Sequence, residues 1–460
     1  MMWRILVLCA LWTFCALCPL SVISASAQTT LESFLRAVEA SHPSLRAAQY
    51  EPDLAEAEIR NALGRFDPML NVSWLAKPKT GGDKLNDLEA SLELPLDMTF
   101  GPKLKATYDR AVGTNVDPEN ITTPGGEASL GVSLPLFQGI FTDSRRNQLR
   151  KALLRPDLAA AQFRLERNNL LRAAALKYWD WSESVAAVAI IDSILQFAET
   201  RADLITRRAR AGEAAVIDSV EMMQEVLRRR GERLRALRFA EQSAIDVSVF
   251  LWTGNLTPIT VNDLPEPLPI AGDTTIDVDE AVRRALVLRP ELRRVEILQA
   301  TARLDSSLAT EFLRPFVEAD VALVSYDLTA GGSPDLKLGL KISQPLLFRS
   351  ASAGAQVADI AVQRADLTRV ITERVIDADV RNAIIAVDRA EERLAVATTE
   401  TELARRMLDV ERRRLDIGET NLLTLNLRER FYAEALQRLV SAQADYARAV
   451  VQLRWATGTL

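Results

Sequence analysis

An α+β membrane protein built from two copies of one unit is the fold class that the sequence predicts. Three observations predict it: a repeat kept in register, runs of alternating apolar and polar residues, and helical runs too long for a globular domain. His42-Pro43-Ser44-Leu45 returns as Arg289-Pro290-Glu291-Leu292, and with no gap Pro68 falls opposite Pro315. A unit that repeats because it cannot close its own core builds a quasi-symmetric shell more readily than a single reactive pocket.

The N-terminus comes first. Met1 to Arg4 supply positive charge, Ile5 to Ile23 an apolar stretch and Ala25-Ser26-Ala27 a small-residue cleavage site, so residues 1–27 are expected to be a secretory signal and Gln28 the mature start. Cys9, Cys15 and Cys18 all lie in that segment, which leaves no thiol beyond it for a disulfide, a nucleophile or a metal. A lipid anchor on Cys18 needs a small residue before it, and Leu17 stands there. The remainder divides into a first repeat (28–254), a proline-rich linker (255–275) and a second repeat (276–460).

Composition excludes more than it selects. A net charge of −6 with 26% charged residues gives no basic field for nucleic acid. His42 is the single histidine, and at a helix end before a proline it lacks the partners that a metal or acid-base site needs.

Each half opens with a helix whose capping-box spacing is Thr29 with Glu32 or Asp277 with Glu280. Pro43 and Pro290 interrupt these helices, and second helices of about 44–65 and 291–313 stop before Pro68 and Pro315. Beyond those prolines the period becomes two: Leu70, Val72, Trp74 and Ala76 in one half, Val317, Ala319, Val321 and Leu323 in the other. Further alternating runs are Leu88 to Leu94, Leu104 to Tyr108, Leu130 to Leu134 and Leu336 to Ile342. One apolar and one polar face suits a half-solvated sheet or a membrane barrel with a wet interior. Strand length favours the barrel, as do aromatics near the strand ends at Trp74, Tyr108, Phe137, Tyr326 and Phe348. No stretch after the leader is expected to be apolar enough for a transmembrane helix, so insertion would be by strands.

From Asp157 to Ala211 and from Ala355 to Ile417 there is neither proline nor glycine. Trp181, Val185, Val188, Ile191, Leu195, Ala198, Ala202 and Ile205 form a three-and-four stripe in the first run. Ala383, Val387, Ala390, Leu394, Ala397, Thr401, Ala404 and Leu408 do so in the second, which predicts coiled-coil packing. A helix from Asp143 to Gly212 rises roughly 100 Å. Gly212-Glu213 and Gly418-Glu419 close the two runs, and return helices follow to about Trp252 and Trp455. Pro258, Pro265, Pro267 and Pro269 stiffen the linker between the halves.

Together these features resemble the TolC-like outer-membrane efflux protein family. The resemblance is carried by Leu134-Pro135-Leu136-Phe137 and Gln344-Pro345-Leu346-Leu347-Phe348 at the strand-to-helix junctions, the turns at Gly212 and Gly418, and Ala456-Thr457-Gly458. It implies a homotrimer in which a transmembrane β-barrel continues into a long periplasmic α-helical coiled-coil barrel, each chain giving four strands. The pair of runs around Leu88 to Tyr108, joined near Gly101-Pro102, departs from that pattern. A hairpin inserted into and extending from the barrel is the favoured reading, with six barrel strands per chain as the alternative.

The resemblance also implies that adaptors dock, and the periplasmic end is constricted, near the hairpin tips, here Gly212, Glu213, Gly418 and Glu419. Asp218 and Glu221 occupy positions where threefold symmetry would make acidic rings, although a solvated helix face has the same composition. In the second hairpin Leu422 to Arg428 carries no carboxylate; Leu423 and Leu427 lie one turn apart, as an apolar pore ring or an ordinary packing seam requires. The resemblance therefore points to the outer-membrane exit duct of a tripartite efflux or type I secretion system. Its expected partners are a periplasmic adaptor, an inner-membrane transporter and outer-membrane lipid, with no cofactor. The competing reading is a periplasmic coiled-coil adaptor or scaffold without a pore. No nucleophile-base arrangement favours an enzyme.

Overall fold

The structure, a computed structural model, describes residues 29–79, 82–114, 116, 121–213, 215–261, 263–269, 277–327 and 333–460. The expected signal segment, its cysteines and linker residues 262 and 270–276 lie outside the described residues.

The first repeat opens with α1 (Leu31–Ser41), α2 (Pro43–Ala48) and α3 (Glu51–Leu63). Its cap is one residue later than the expected Thr29 with Glu32, because the Thr30 side chain accepts from the Ser33 amide. The expected 44–65 helix is broken at Gln49 and Tyr50, since Pro52 cannot donate to a carbonyl one turn back. In the second repeat α7 (Val278–Leu288) is capped by Asp277, and α8 (Pro290–Glu311) runs unbroken.

The strands are β1 (Met69–Lys79), β2 (Gly82–Pro95), β3 (Lys103–Val112), β4 (Glu127–Pro135), β5 (Phe316–Ser325) and β6 (Asp335–Ser343). They form one antiparallel sheet in chain order, with β4 against β5 joining the repeats. This corrects the favoured reading of the Leu88 to Tyr108 pair. The turn around Gly101 does not project outward; it rests at the helical end of the sheet, where Arg146 donates to the Met98 carbonyl at 3.3 Å. Arg146 is 5% exposed and also donates to the Ile140 carbonyl (3.2 Å), the Gly139 carbonyl and the Asp143 carboxylate (3.1 Å). A Cβ on Gly101 would stand 3.1 Å from both the Arg146 guanidinium and the Asp143 carboxylate. Trp74 is likewise not at a strand end but midway along β1, with its indole N–H donating to Asn86 at 3.1 Å.

The long segments are α4 (Ser144–Leu153) with α5 (Arg155–Arg210), and α9 (Arg349–Asp416). Pro156 makes the interruption at Leu154. The return helices are α6 (Val216–Ser248) and α10 (Leu422–Ala456). Ile191, Leu195, Ala202 and Ile205 of the first stripe and Val387, Leu394, Ala397 and Leu408 of the second are buried. Against expectation, residues 144–210 do contain an 18-residue window with a mean hydropathy of 1.2. Composition explains it: a helix packed between α6 and α10 needs apolar residues on more than one face.

The main core lies where the helices meet the chain's start. Tyr178 is fully buried, stacked on Phe34 at 5.5 Å and met edge-on by Trp179 and Trp181. Burying Phe34 alone contributes about 3 kcal/mol. The Tyr178 hydroxyl donates to the Thr29 carbonyl and accepts the Glu266 amide at 3.0 Å, so linker and N-terminal segment are fastened at one point. Burial pushes that hydroxyl's pKa up, which keeps it a donor.

Candidate functional site

The two hairpin tips close alike. At the first, Gly212 donates to the Ala209 carbonyl (3.2 Å) and Glu213 to that of Arg208 (2.9 Å); at the second, Gly418 donates to Leu415 (3.1 Å) and Glu419 to Arg414 (2.9 Å). These are the paired bonds that satisfy orphan carbonyls when a helix ends in a left-handed residue. Gly212 and Gly418 have φ of +79° and +78° with open space around them, so glycine is needed for its backbone alone.

Beyond the turns the tips differ. The α6 cap, Ala215, offers no side-chain acceptor. Asp218 stands in that first turn, half-buried, where a carboxylate complements free amides, and Glu221 is exposed one turn on. At the second tip Asn421 caps α10 by accepting the Thr424 amide at 2.9 Å, and Thr420 donates 2.5 Å to the buried Glu411 carboxylate. Glu419 lies 3.7 Å from Arg414. Leu423 and Leu427 are 70% and 43% exposed, while Leu425 between them is 3% exposed.

The four gate candidates therefore sit on two hairpins; Arg448 of α10 links them higher up, to Asp180 and Glu183 of α5, and toward the tips they are joined by a residue the sequence reading passed over. Arg201 of α5, roughly 16 Å above Gly212 at 1.5 Å per residue, pairs through both guanidinium prongs with Glu429 of α10. It also donates 2.8 Å to Asn426, and Arg412 approaches Glu429 at 3.6 Å. The acid absent from Leu422 to Arg428 is the next residue along. Its only signal in sequence is a carboxylate two residues after the leucine pair, among many charged residues.

Farther up α6, burial pushes Glu225 upward, but Arg228 and Arg229 more than offset it and leave the carboxyl below its usual range. Among the described residues no group of His, Cys, Asp and Glu has the arrangement to hold a metal ion.

The model of the family described as outer membrane efflux protein matches residues 281–459. The fold of the whole chain is similar to solved outer-membrane channels. With OprN the TM-score is 0.66 at 17% identity, covering 94% of this chain and 90% of that one. With MtrE of Neisseria gonorrhoeae the values are 0.66 and 17%, covering 93% and 88%. With VceC of Vibrio cholerae they are 0.63 and 14%, covering 93% and 96%. The second repeat thus matches the outer membrane efflux protein model in sequence, and the whole chain is similar to solved outer-membrane channels in fold. No curated protein matches it in sequence.

OprN and VceC are described as outer-membrane proteins. The sheet's two faces fit such a position. Leu70, Val72, Leu130, Leu338 and Leu340 stand exposed on one face, while Glu93, Lys103, Lys105, Glu318 and Asp320 share the other. The charged face is paired rather than bare: Lys103 lies 3.3 Å from Glu318 and Lys105 3.2 Å from Asp320.

Proposed function

We propose that three copies of this chain form an outer-membrane exit duct, with the hairpin tips as its periplasmic mouth. One observation carries the reading: the sheet is apolar along most of one face, with Asn86 and Arg110 only toward the end away from the helices, and charged over the other, and a chain with two unpaired edge strands in lipid must close with further copies. The adaptor docks on Gly212, Glu213, Gly418 and Glu419 and the grooves beside them, and an inner-membrane transporter delivers substrate through it. Leu423 and Leu427 supply the apolar constriction, and Asp218 with Glu221 add negative charge at the same mouth.

The test is fractionation of expressing cells, followed by sizing in detergent and recording in planar bilayers. An outer-membrane trimer that conducts supports the duct. A water-soluble periplasmic monomer would overturn it in favour of a pore-free adaptor or scaffold, for which the exposed leucines of β6 have no use.

A further inference from the structure

We infer that β2 and β3 are full wall strands, so that six strands from each of three chains close an eighteen-stranded barrel, wider than the twelve-stranded barrel that four strands per chain would give. The inference rests on the trimeric duct proposed above and specifies its bore.

Four observations carry it. First, β2 and β3 are paired along their length: Asn86 to Pro95 each have a partner on β3, and Lys103 to Asp109 each have one on β4. β1 has no pairing with β4 among the described residues. Second, the phase is kept across the pair. Leu92 lies opposite Leu70 and Ala106, and Ala106 opposite Leu130, which continues one apolar face; Ser91 and Thr107 continue the polar one. A hairpin standing clear of the membrane would have no need of a lipid-compatible face in register with its neighbours.

Third, the pair runs the height of the wall. Its turn is held at the helical end by Arg146, while Asn86 of β2 and Val112 of β3 pair at the opposite end. Fourth, ion pairs stitch the added strands to the second repeat. Lys103 of β3 reaches Glu93 of β2 at 3.7 Å and Glu318 of β5, and Lys105 reaches Asp320 past β4. Gly131 makes that reach feasible, because it leaves no side chain on β4 between them; a Cβ there would lie 2.6 Å from the Val321 carbonyl oxygen.

Closure is also consistent in direction. Six alternating strands leave β1 and β6 antiparallel at the two edges, so β6 of one chain can pair with β1 of the next in an antiparallel ladder. Strands about 4.8 Å apart and tilted about 40° give a backbone radius of about 18 Å for eighteen strands, against about 12 Å for twelve. The cross-section of the barrel is then about twofold larger.

The experiment uses the full-length trimer in lipid nanodiscs. Imaging at a resolution that separates strands is expected to count eighteen; a count of twelve overturns the inference and leaves the duct standing, whereas absence of an outer-membrane trimer removes the duct itself. Fluorophores on single cysteines check the same point. Residues 29–460 contain no other cysteine. Labels on Leu92→Cys and Ala106→Cys are expected to be quenched several-fold more by lipids brominated on their tails than labels on Ser91→Cys and Thr107→Cys. Equal quenching at all four positions overturns the inference.

Discussion

Arg201 and Glu429 hold the two hairpins of one chain together by a two-pronged ion pair in which each side chain is only 15% exposed. It lies in the tip-side part of both hairpins, one turn above the buried Ile205 and Leu425 along their helices, so its loss loosens the lower ends of two long levers. Arg201→Ala leaves a half-desolvated carboxylate and costs about 2 kcal/mol locally, the scale of a hydrogen bond to a charged group. The expected outcome is more frequent opening in planar bilayers, with a smaller effect for Glu429→Gln, which keeps an acceptor. Unchanged single-channel records for Arg201→Ala would show that the pair does not restrain the mouth.

The leucine pair can be tested against its rival in the same measurement. Leu423→Ser with Leu427→Ser is expected to raise conductance while lowering trimer stability little, because both side chains are exposed within the chain. A buried seam would instead cost about 2–5 kcal/mol per truncated leucine. Lost thermal stability with unchanged conductance would identify a seam and discard the ring.

Arg146 joins β2, β3 and α4 at one point. Arg146→Met fills a similar volume but leaves the carbonyls of Gly139, Ile140 and Met98 without their donor, at a cost of about 3 kcal/mol or more. The trimer should dissociate in detergent at a lower temperature than wild type, and Arg146→Lys should recover only part of the loss, since an ammonium cannot span the same fork of acceptors. Equal dissociation temperatures for Met and wild type would remove Arg146 from any structural role.

His42 makes a small pH dependence. Burial lowers the imidazole from its ordinary 6.5, with Glu166 opposing part of the shift, and Nδ1 accepts the Ser44 amide at 3.3 Å as the cap of α2. The fold thus prefers the neutral ring. Its stabilisation is complete above pH 6.5 and falls as the pH drops through 6.5 toward the lower folded value. His42→Asn keeps a capping oxygen and removes the titration, so its melting temperature should decline less than wild type between pH 7.5 and 5.5. Parallel curves would exclude His42 as the source.

The repeat, the strand phase and the glycine turns were legible because each is a local pattern with its own period or backbone demand. Three kinds of feature were not. Pro52 and Pro156 break helices but stand inside runs whose apolar periodicity continues across them. The position of the β2 and β3 turn depended on a contact between Met98 and Arg146, 48 residues apart, which no spacing encodes. Arg201 with Glu429 is separated by 228 residues, and in sequence each is one charge among many on a helix surface. Gly212, Glu213, Gly418 and Glu419 could be read as tips, whereas the roles of Asp218, Glu221, Leu423 and Leu427 depend on neighbouring copies.

Tyr178 has a consequence for the order of events during folding. Its hydroxyl is shared by Thr29 and Glu266, and the Thr29 amide donates to Leu264 at 3.0 Å. Synthesis delivers residue 29 early; its bond to Tyr178 can form once that residue is made, but the bonds with Leu264 and Glu266 cannot form until the chain has been made past residue 266. The beginning of the chain can therefore meet α5 early, but it is fully fastened only after a complete helical hairpin has been built, so its final docking reports that the first repeat is finished.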